Sequence, residues 1–520
     1  MDNEFGLIVL GAGPGGYVAA IRAAQLGIKT AIIEEDAFGG TCLNRGCIPT
    51  KAFLHAAQVM KQVKEAVQYG IKTSVTEVDM DQLYEYKNGV VDKLRTGVEQ
   101  LLAANKVTCI RGKGKITGNN TITVLEPEGN TSVYIGNNIL VATGSKPMIP
   151  KIKGIENENV LTSDDLLSSQ SKEFTSITII GGGVIGVEFG YLYNSLGWDV
   201  TIIEAMESLL PMMDRDISQN LSMILKKKGI KVITGARVEE IKVEETKHEE
   251  AKHEETKVEE TKVEETKVEE TRHVETKHEE TKHEETIEQN KINKNDTVSV
   301  LYSRKNETNQ VNSQAVLVAI GRKANLENVF DSSFVPEIEN GRIKTDDLFQ
   351  TSIPNVYAIG DVTSKVQLAH VASAQGIFVA ERIAGKKSHI DLSVIPSCIY
   401  CEPEIGSVGI TVEDAKASKI PVNIGKYITS SMGKSLITKE ERGFVKLIVH
   451  AETKVLLGAQ LMCAHATDMV GELATAIANE MTIFQLTKAM KAHPTFNEAI
   501  GEALEDLMDG AIHAAPKRKN

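Results

Sequence analysis

Residues 11–16 read GAGPGG, and residues 181–186 read GGGVIG. Leu26-Gly27 returns as Leu196-Gly197, and AIIE at 31–34 returns as TIIE at 201–204, every pair offset by 170 residues. In each copy the acid at the end of the second apolar run, Glu34 or Glu204, lies 18 residues past the third motif glycine, Gly16 or Gly186. One glycine motif is weak evidence. Two copies, each with an apolar run before it, a helical stretch after it and an acid at the end of the next run, predict two dinucleotide-binding βαβ units. Gly11 and Gly181 suit the tight turn, Gly13 and Gly183 the approach of a pyrophosphate, and Gly16 and Gly186 the close packing of helix on strand. The helix N-terminus then faces the anion, and Glu34 and Glu204 are placed to accept hydrogen bonds from a ribose.

The rest of the chain is consistent with a large multidomain protein. It has 520 residues, 41% hydrophobic and 25% charged, which excludes wholesale disorder. No apolar run is long enough to span a bilayer, and no leader precedes the first strand, so a cytoplasmic location is expected. Six cysteines are too few for a secreted disulfide scaffold. Residues 51–105 look helical through Ala56, Val59, Met60, Val63 and Val67, and 107–142 read as short strands ending in ILVATGS. AVLVAIGR (315–322) and NVYAIGDV (355–362) read as strands ending at glycine. Past residue 393, strand-like and helical stretches alternate, which suggests a separate α+β unit.

The net charge of −13 is unevenly spread. Nine pentads of the KVEET or KHEET type fill residues 242–286, with nine Lys/Arg against seventeen Glu. A period of five matches neither helix nor strand, so this segment reads as a solvated insertion at a hairpin tip. No basic stripe points to nucleic acid, and no basic amphipathic helix points to a membrane surface.

The chemistry is concentrated in GGTCLNRGCIPTK, residues 39–51. Cys42 and Cys47 flank four residues, and Pro49 suits the first turn of a following helix. Cys47 would then sit at a helix N-terminus, where the dipole favours thiolate. Lys51, one turn on, supplies a cation on the same face. Two ideal helical positions five apart are too distant for a disulfide, so the first turn must be distorted. A half zinc site or two structural cysteines are the alternatives; no second CxxC or paired histidine lies near at metal spacing, so no metal is expected. In HPTFNE (493–498), Glu498 can orient His493 as a base. Cys398 and Cys401 form a CxxC read as structural, and Cys109 and Cys463 are read as buried.

With GAGPGGYVAA, GGTCLNRGCIPTKA, VATGS, GGGVIGVEFG, AIGDV and HPTFNEAIGEAL in this order, the chain resembles the dihydrolipoamide dehydrogenase (E3) family, in class I of the pyridine nucleotide–disulfide oxidoreductases. The resemblance covers nearly everything outside 242–286. It implies an α/β fold with two Rossmann-like domains, one for FAD and one for NAD, and a C-terminal α+β dimerisation domain. The implied boundaries are 1–150 and 326–392 for FAD, 151–325 for NAD and 393–520 for dimerisation. For FAD it implies Gly11, Gly13, Gly16, Glu34, Gly40, Thr41, Lys51, Gly114, Thr143, Gly144, Ser145 and Asp361, with Gln367, Leu368, Ala369 and His370. For the NAD side it implies Gly181, Gly183, Gly186, Glu204, Val238, Gly321 and Glu188, the last pairing with Lys51. Cys47 would be the flavin-contacting thiol and Cys42 the substrate-facing one of a redox-active disulfide. His493 and Glu498 would serve the partner subunit of a homodimer. The implied activity is oxidation of protein-bound dihydrolipoyl groups, with reduction of NAD⁺ to NADH. The implied partner is a lipoylated E2 of a 2-oxoacid or acetoin complex, or the glycine cleavage H protein. NADPH-dependent relatives such as glutathione reductase typically place arginines past the second acid, where this chain has Ala205-Met206; mercuric reductase typically adds a C-terminal cysteine pair. Where the family usually has Thr, this chain has Cys401. A non-catalytic scaffold is disfavoured by the intact cysteines, lysine, histidine and glutamate.

Overall fold

A computed structural model describes residues 3–74, 77–168, 174–244, 297–364, 366–440 and 442–515. The first repeat folds as strand Glu4–Leu10, helix Pro14–Gln25 and strand Thr30–Glu34. The second folds as strand Ser176–Ile180, helix Val184–Leu196 and strand Asp199–Ile203. In each unit the two strands pair in parallel, Leu10 beside Ile33 and Ile180 beside Ile203. The runs are apolar throughout because both faces of a parallel sheet are covered.

In the first sheet, Thr108–Arg111, Thr30–Glu34, Glu4–Leu10 and Thr131–Val141 run parallel, and Thr121–Leu125 and Lys113–Gly118 continue it antiparallel. Strand Val356–Ala358 returns 215 residues later to pair with the end of Thr131–Val141, Ala358 beside Val141. The second sheet orders Lys231–Ile233, Asp199–Ile203, Ser176–Ile180, Ala315–Val318 and Val160–Thr162, all parallel. A small antiparallel pairing of Ser145–Pro147 with Arg322–Ala324 joins the two units. The third large sheet is antiparallel, in the order Ser397–Ile399, Ile405–Gly409, Leu456–Met462, Phe444–His450 and Val422–Ile428. Helices Ala466–Ala478 and Glu498–Asp506 share its core through Leu473 and Ile500.

Two expectations need correction here. The helical stretch over 51–105 is two helices, Cys47–Glu65 and Met80–Ala104. A 3-10 turn, Ala66–Tyr69, follows the first and ends at Gly70 with φ +81°, and Asp79 caps the second by accepting the Gln82 N–H at 2.9 Å. Val59 and Val67, which belong to the apolar periodicity of that stretch, are exposed. Cys109, read as buried, is also exposed, because its strand lies at a sheet edge and turns only Ile110 inward. The pentad segment lies outside the described residues apart from 242–244. Its two flanks pair as a hairpin, with Glu244 opposite Thr297.

Candidate active site

The local chain path explains how the two cysteines meet. Cys42 lies in the short helix Gly40–Arg45 and Cys47 opens the helix Cys47–Glu65. Gly46 breaks the backbone between them at φ −142° and ψ −113°. A Cβ there would lie 2.9 Å from the Thr41 carbonyl oxygen and 3.2 Å from the Cys42 Cα, so only glycine lets the chain double back this closely. Thr50 then donates its hydroxyl to the Gly46 carbonyl at 2.7 Å and fixes the new helix.

The result brings the two thiols together, with Cys42 hydrogen-bonded to Cys47. That bond holds the Cys47 thiol down at about 7; burial opposes the shift, and the Lys51 charge reinforces it. The same bond and burial push the Cys42 thiol up. At pH 7 the pair is therefore about half ionised, with the charge centred on Cys47. Lys51 is held by Glu188 at 2.9 and 3.1 Å, and its ammonium lies 4.6 Å from the centre of the Tyr400 ring. Glu188 is buried and also accepts the Tyr400 N–H at 3.0 Å. One carboxylate from the second repeat thus ties together the cysteine helix and the C-terminal sheet.

These groups line a cavity of about 2110 Å³ that runs from one glycine loop to the other. At its ends the two acids do the same work. Glu34 accepts the Ala12 N–H at 2.7 Å and the Asp36 N–H at 3.0 Å. Glu204 accepts the Gly182 N–H at 2.6 Å and the Met206 N–H at 2.7 Å. Each acid therefore braces its own glycine loop before any ligand arrives, a role that spacing alone does not reveal. Burial pushes the Glu34 carboxyl up. Added Cβ atoms at Gly13 and Gly183 meet nothing within 4 Å and would project into open space, whereas at Gly16 and Gly186 they would lie 1.9 and 2.0 Å from the Gly11 and Gly181 carbonyl oxygens. The first two positions keep space for a ligand; the other two keep helix on strand.

The pyridine nucleotide-disulphide oxidoreductase family matches residues 5–269 and 264–376, and its dimerisation domain matches 395–504. The chain belongs to this family. It is 36% identical to a dihydrolipoyl dehydrogenase of Bacillus subtilis, over 99% of this chain and 100% of that one. It is also 36% identical to the dihydrolipoyl dehydrogenase of Chlamydia muridarum, over the full length of both. Among solved structures, the HOCl-induced flavoprotein disulfide reductase RclA of Escherichia coli, in a Cu(II) complex, superposes with a TM-score of 0.77 at 26% identity, over 98% of this chain and 99% of that one. LpdA of Mycobacterium tuberculosis shares the fold with a TM-score of 0.80, over 96% of this chain and 99% of that one.

Of the residues singled out from sequence, all but five line the cavity; the five are Gly16, Gly114, Gly186, His493 and Glu498. Gly114 packs against Leu10 and Ile33 in the core, and it is Gly112 and Lys113 that reach the cavity wall. His493 and Glu498 form their pair, Nδ1 to Oε1 at 2.7 Å, away from the cysteines of the same chain. Cys398, read as structural, lies in the cavity wall and donates to the Thr467 carbonyl at 3.7 Å, while Cys401 is fully buried.

In this oxidoreductase the sequence reading missed Arg322. Its guanidinium donates to Ser145 Oγ and to the Ser145 carbonyl, both at 2.9 Å, and to Asp164 at 3.2 Å. Ser145 in turn donates to Asp361 at 2.5 Å, and Thr143 donates to the Asn325 carbonyl at 2.8 Å. Burial pushes the Asp361 carboxyl up. The arginine directly follows Gly321, and this adjacency was the available signal. Its partners lie 177 and 158 residues away, so only the fold reveals them.

Proposed function

We propose that this chain is a dihydrolipoyl dehydrogenase that uses FAD and NAD⁺ and oxidises dihydrolipoyl groups through Cys42 and Cys47. The observation that carries the reading is the pair of free thiols, Cys42 and Cys47, in the wall of a cavity that both glycine loops share. The residues fit the cofactor. Space is kept at Gly13, the N-termini of helices Pro14–Gln25 and Ala369–Ile383 open on the cavity, and the Gln367 Nε2 atom is buried with no hydrogen-bond partner among the described residues. The loop of Gly11, the segment 143–145, Asp361 and residues 367–370 would hold FAD. The loop of Gly181 with Glu204, Val238 and Gly321 would hold NAD. The braced Glu204 carboxylate, with Ala205 and Met206 after it, disfavours a 2′-phosphate. FAD, when bound, supplies the two-electron acceptor, and NAD⁺ carries the pair away as hydride.

The protein's own residues do the sulfur and proton chemistry. His493, with Nδ1 held by Glu498, takes a thiol proton at Nε2. The resulting thiolate attacks Cys42 in the oxidised pair and releases Cys47 as thiolate, which Lys51 stabilises. The second substrate thiol then displaces Cys42 and closes the lipoyl ring. Because His493 lies outside its own chain's cavity, it serves the cysteines of a second copy in a homodimer, in keeping with the dimerisation-domain match. We assign 1–150 and 326–392 to the FAD unit, 151–325 to the NAD unit and 393–520 to the dimer unit. The partner is a lipoylated E2 or H protein, and the setting is the cytoplasm; among the described residues no helix is long and apolar enough to cross a membrane. The Cys47→Ser variant tests the reading. It is expected to keep its flavin and lose dihydrolipoamide oxidation, and full turnover in that variant would overturn the assignment.

A further inference from the structure

Residue 400 touches both members of the ion pair at the thiol site. The Lys51 ammonium donates to the two Glu188 oxygens at 3.1 and 2.9 Å. The Tyr400 N–H donates to Glu188 Oε1 at 3.0 Å, and the centre of its ring lies 4.6 Å from Lys51 Nζ. Lys51, Glu188 and Tyr400 all line the cavity that holds Cys42 and Cys47 in its wall. The Glu188 side chain is buried, at 4% exposure, whereas that of Lys51 keeps 31%. The carboxylate is thus fixed in place, and the ammonium, a point charge on a flexible stem, is the member that needs a second contact. The face of an aromatic ring, with its negative quadrupole, supplies one.

Two residues on, Glu402 fixes the place of the ring independently of the lysine. Its carboxylate pairs with Lys61, accepts the Tyr191 hydroxyl at 3.1 Å and lies 3.5 Å from Lys228. Lys61 is on the same helix as Lys51, and Tyr191 stands one turn past Glu188 on helix Val184–Leu196. Cys401, between Tyr400 and Glu402, is fully buried. The segment 400–402 therefore clips the cysteine helix to the helix of the second repeat at two levels, and Tyr400 arrives already oriented. Burial pushes its hydroxyl up to about 12, so the ring stays neutral near pH 7. The titratable groups that act on Cys47 are Cys42, Lys51 and Glu188; those that act on Tyr400 are Cys398, Glu188, Glu404 and Asp468.

We propose that Tyr400 is a positioning residue of the thiol site, its ring seating the Lys51 ammonium against Glu188 so that the positive charge stays beside Cys47. The lysine charge favours the Cys47 thiolate, and the Glu188 charge disfavours it. A lysine that left its seat would leave Glu188 opposing the thiolate with less cation to offset it. The N–H bond from residue 400 to Glu188 is open to any residue but proline, so substitutions there isolate the ring. The consequence for turnover rests on the dihydrolipoyl reading, in which Lys51 stabilises the Cys47 thiolate that the substrate releases; the titration of Cys47 does not.

The test is the pH profile of iodoacetamide alkylation, read by mass spectrometry of the Cys47 peptide from the reduced, flavin-loaded dimer. Tyr400→Leu and Tyr400→Met keep apolar bulk without a ring. Both are expected to move the Cys47 midpoint up by about half a pH unit, the scale of one partly desolvated cation–π contact. Tyr400→Phe keeps the ring face and is expected to titrate with the parent. In a Lys51→Met background, Tyr400→Leu should cause no further shift, because the ring acts only through the lysine. Flavin absorbance reports that each variant is folded. A parent-like midpoint in both ringless variants, an equal shift in Tyr400→Phe, or a shift that persists without Lys51 overturns the proposal and leaves the dihydrolipoyl reading in place. Full dihydrolipoamide turnover in Cys47→Ser would instead sink that reading without touching the titration.

Discussion

Replacing Cys42 by alanine in the reduced holoenzyme should raise the Cys47 thiol from about 7 to its ordinary value of 9.0 or above. The Cys42 hydrogen bond is the largest cause of the depression; without it, burial and the Glu188 charge act against Lys51 and a backbone hydrogen bond. Two pKa units correspond to about 2.7 kcal/mol of differential stabilisation. At pH 7 the thiolate fraction falls from about one half to about one hundredth. A more basic thiolate is also a better nucleophile; with a Brønsted slope near 0.45 it gains about eightfold. The rate of Cys47 alkylation at pH 7 should therefore drop only about sixfold, far less than the loss of thiolate. Above about pH 8 the order should invert, and the variant should react faster than the parent. Iodoacetamide labelling followed by mass spectrometry of the Cys47 peptide, with thiolate absorbance across pH, reads both quantities. An alkylation profile that still turns near pH 7 in the variant would refute the claim that the neighbouring thiol sets the charge.

Other perturbations follow from the same contacts. In Glu188→Gln, removal of a negative charge that raises Cys47 should move its titration below the parent's, so that the thiolate survives to more acidic pH; thiolate absorbance against pH checks the sign. Loss of the Arg322 guanidinium in Arg322→Ala should destabilise the fold by about 2 kcal/mol, since a mostly buried cation with three hydrogen bonds is removed. It should also speed flavin release, seen as rising free-flavin fluorescence during urea titration. Replacing residues 245–296 by an Asn-Gly turn should preserve the hairpin, because Glu244 and Thr297 are already paired. Kinetics with free dihydrolipoamide should then match the parent. A difference confined to a lipoylated protein substrate would give the acidic segment a part in partner recognition.

The sequence by itself determined what depends on short-range chemistry. The 170-residue repeat, the glycine spacing and the acid after each second strand specify two βαβ units, because turn geometry and helix–strand packing are local. Cys42, Gly46, Cys47, Pro49 and Lys51 lie within ten residues, so the thiol site and its bias were legible there. His493 and Glu498 were legible as a pair for the same reason. Tertiary structure alone decided which distant groups converge. Arg322 reaches back 177 residues to Ser145, and Tyr400 closes over the lysine from the third sheet; the Glu188–Lys51 pair, 137 residues apart, was implied by the family resemblance and not by spacing. Gly114 turned into the core and Cys398 into the cavity because strand pairing, not composition, sets which side of a sheet faces a ligand. Hydrogen bonds act over about 3 Å in space and carry no memory of chain distance, so a reading along the chain finds the parts and the fold assigns them to one another.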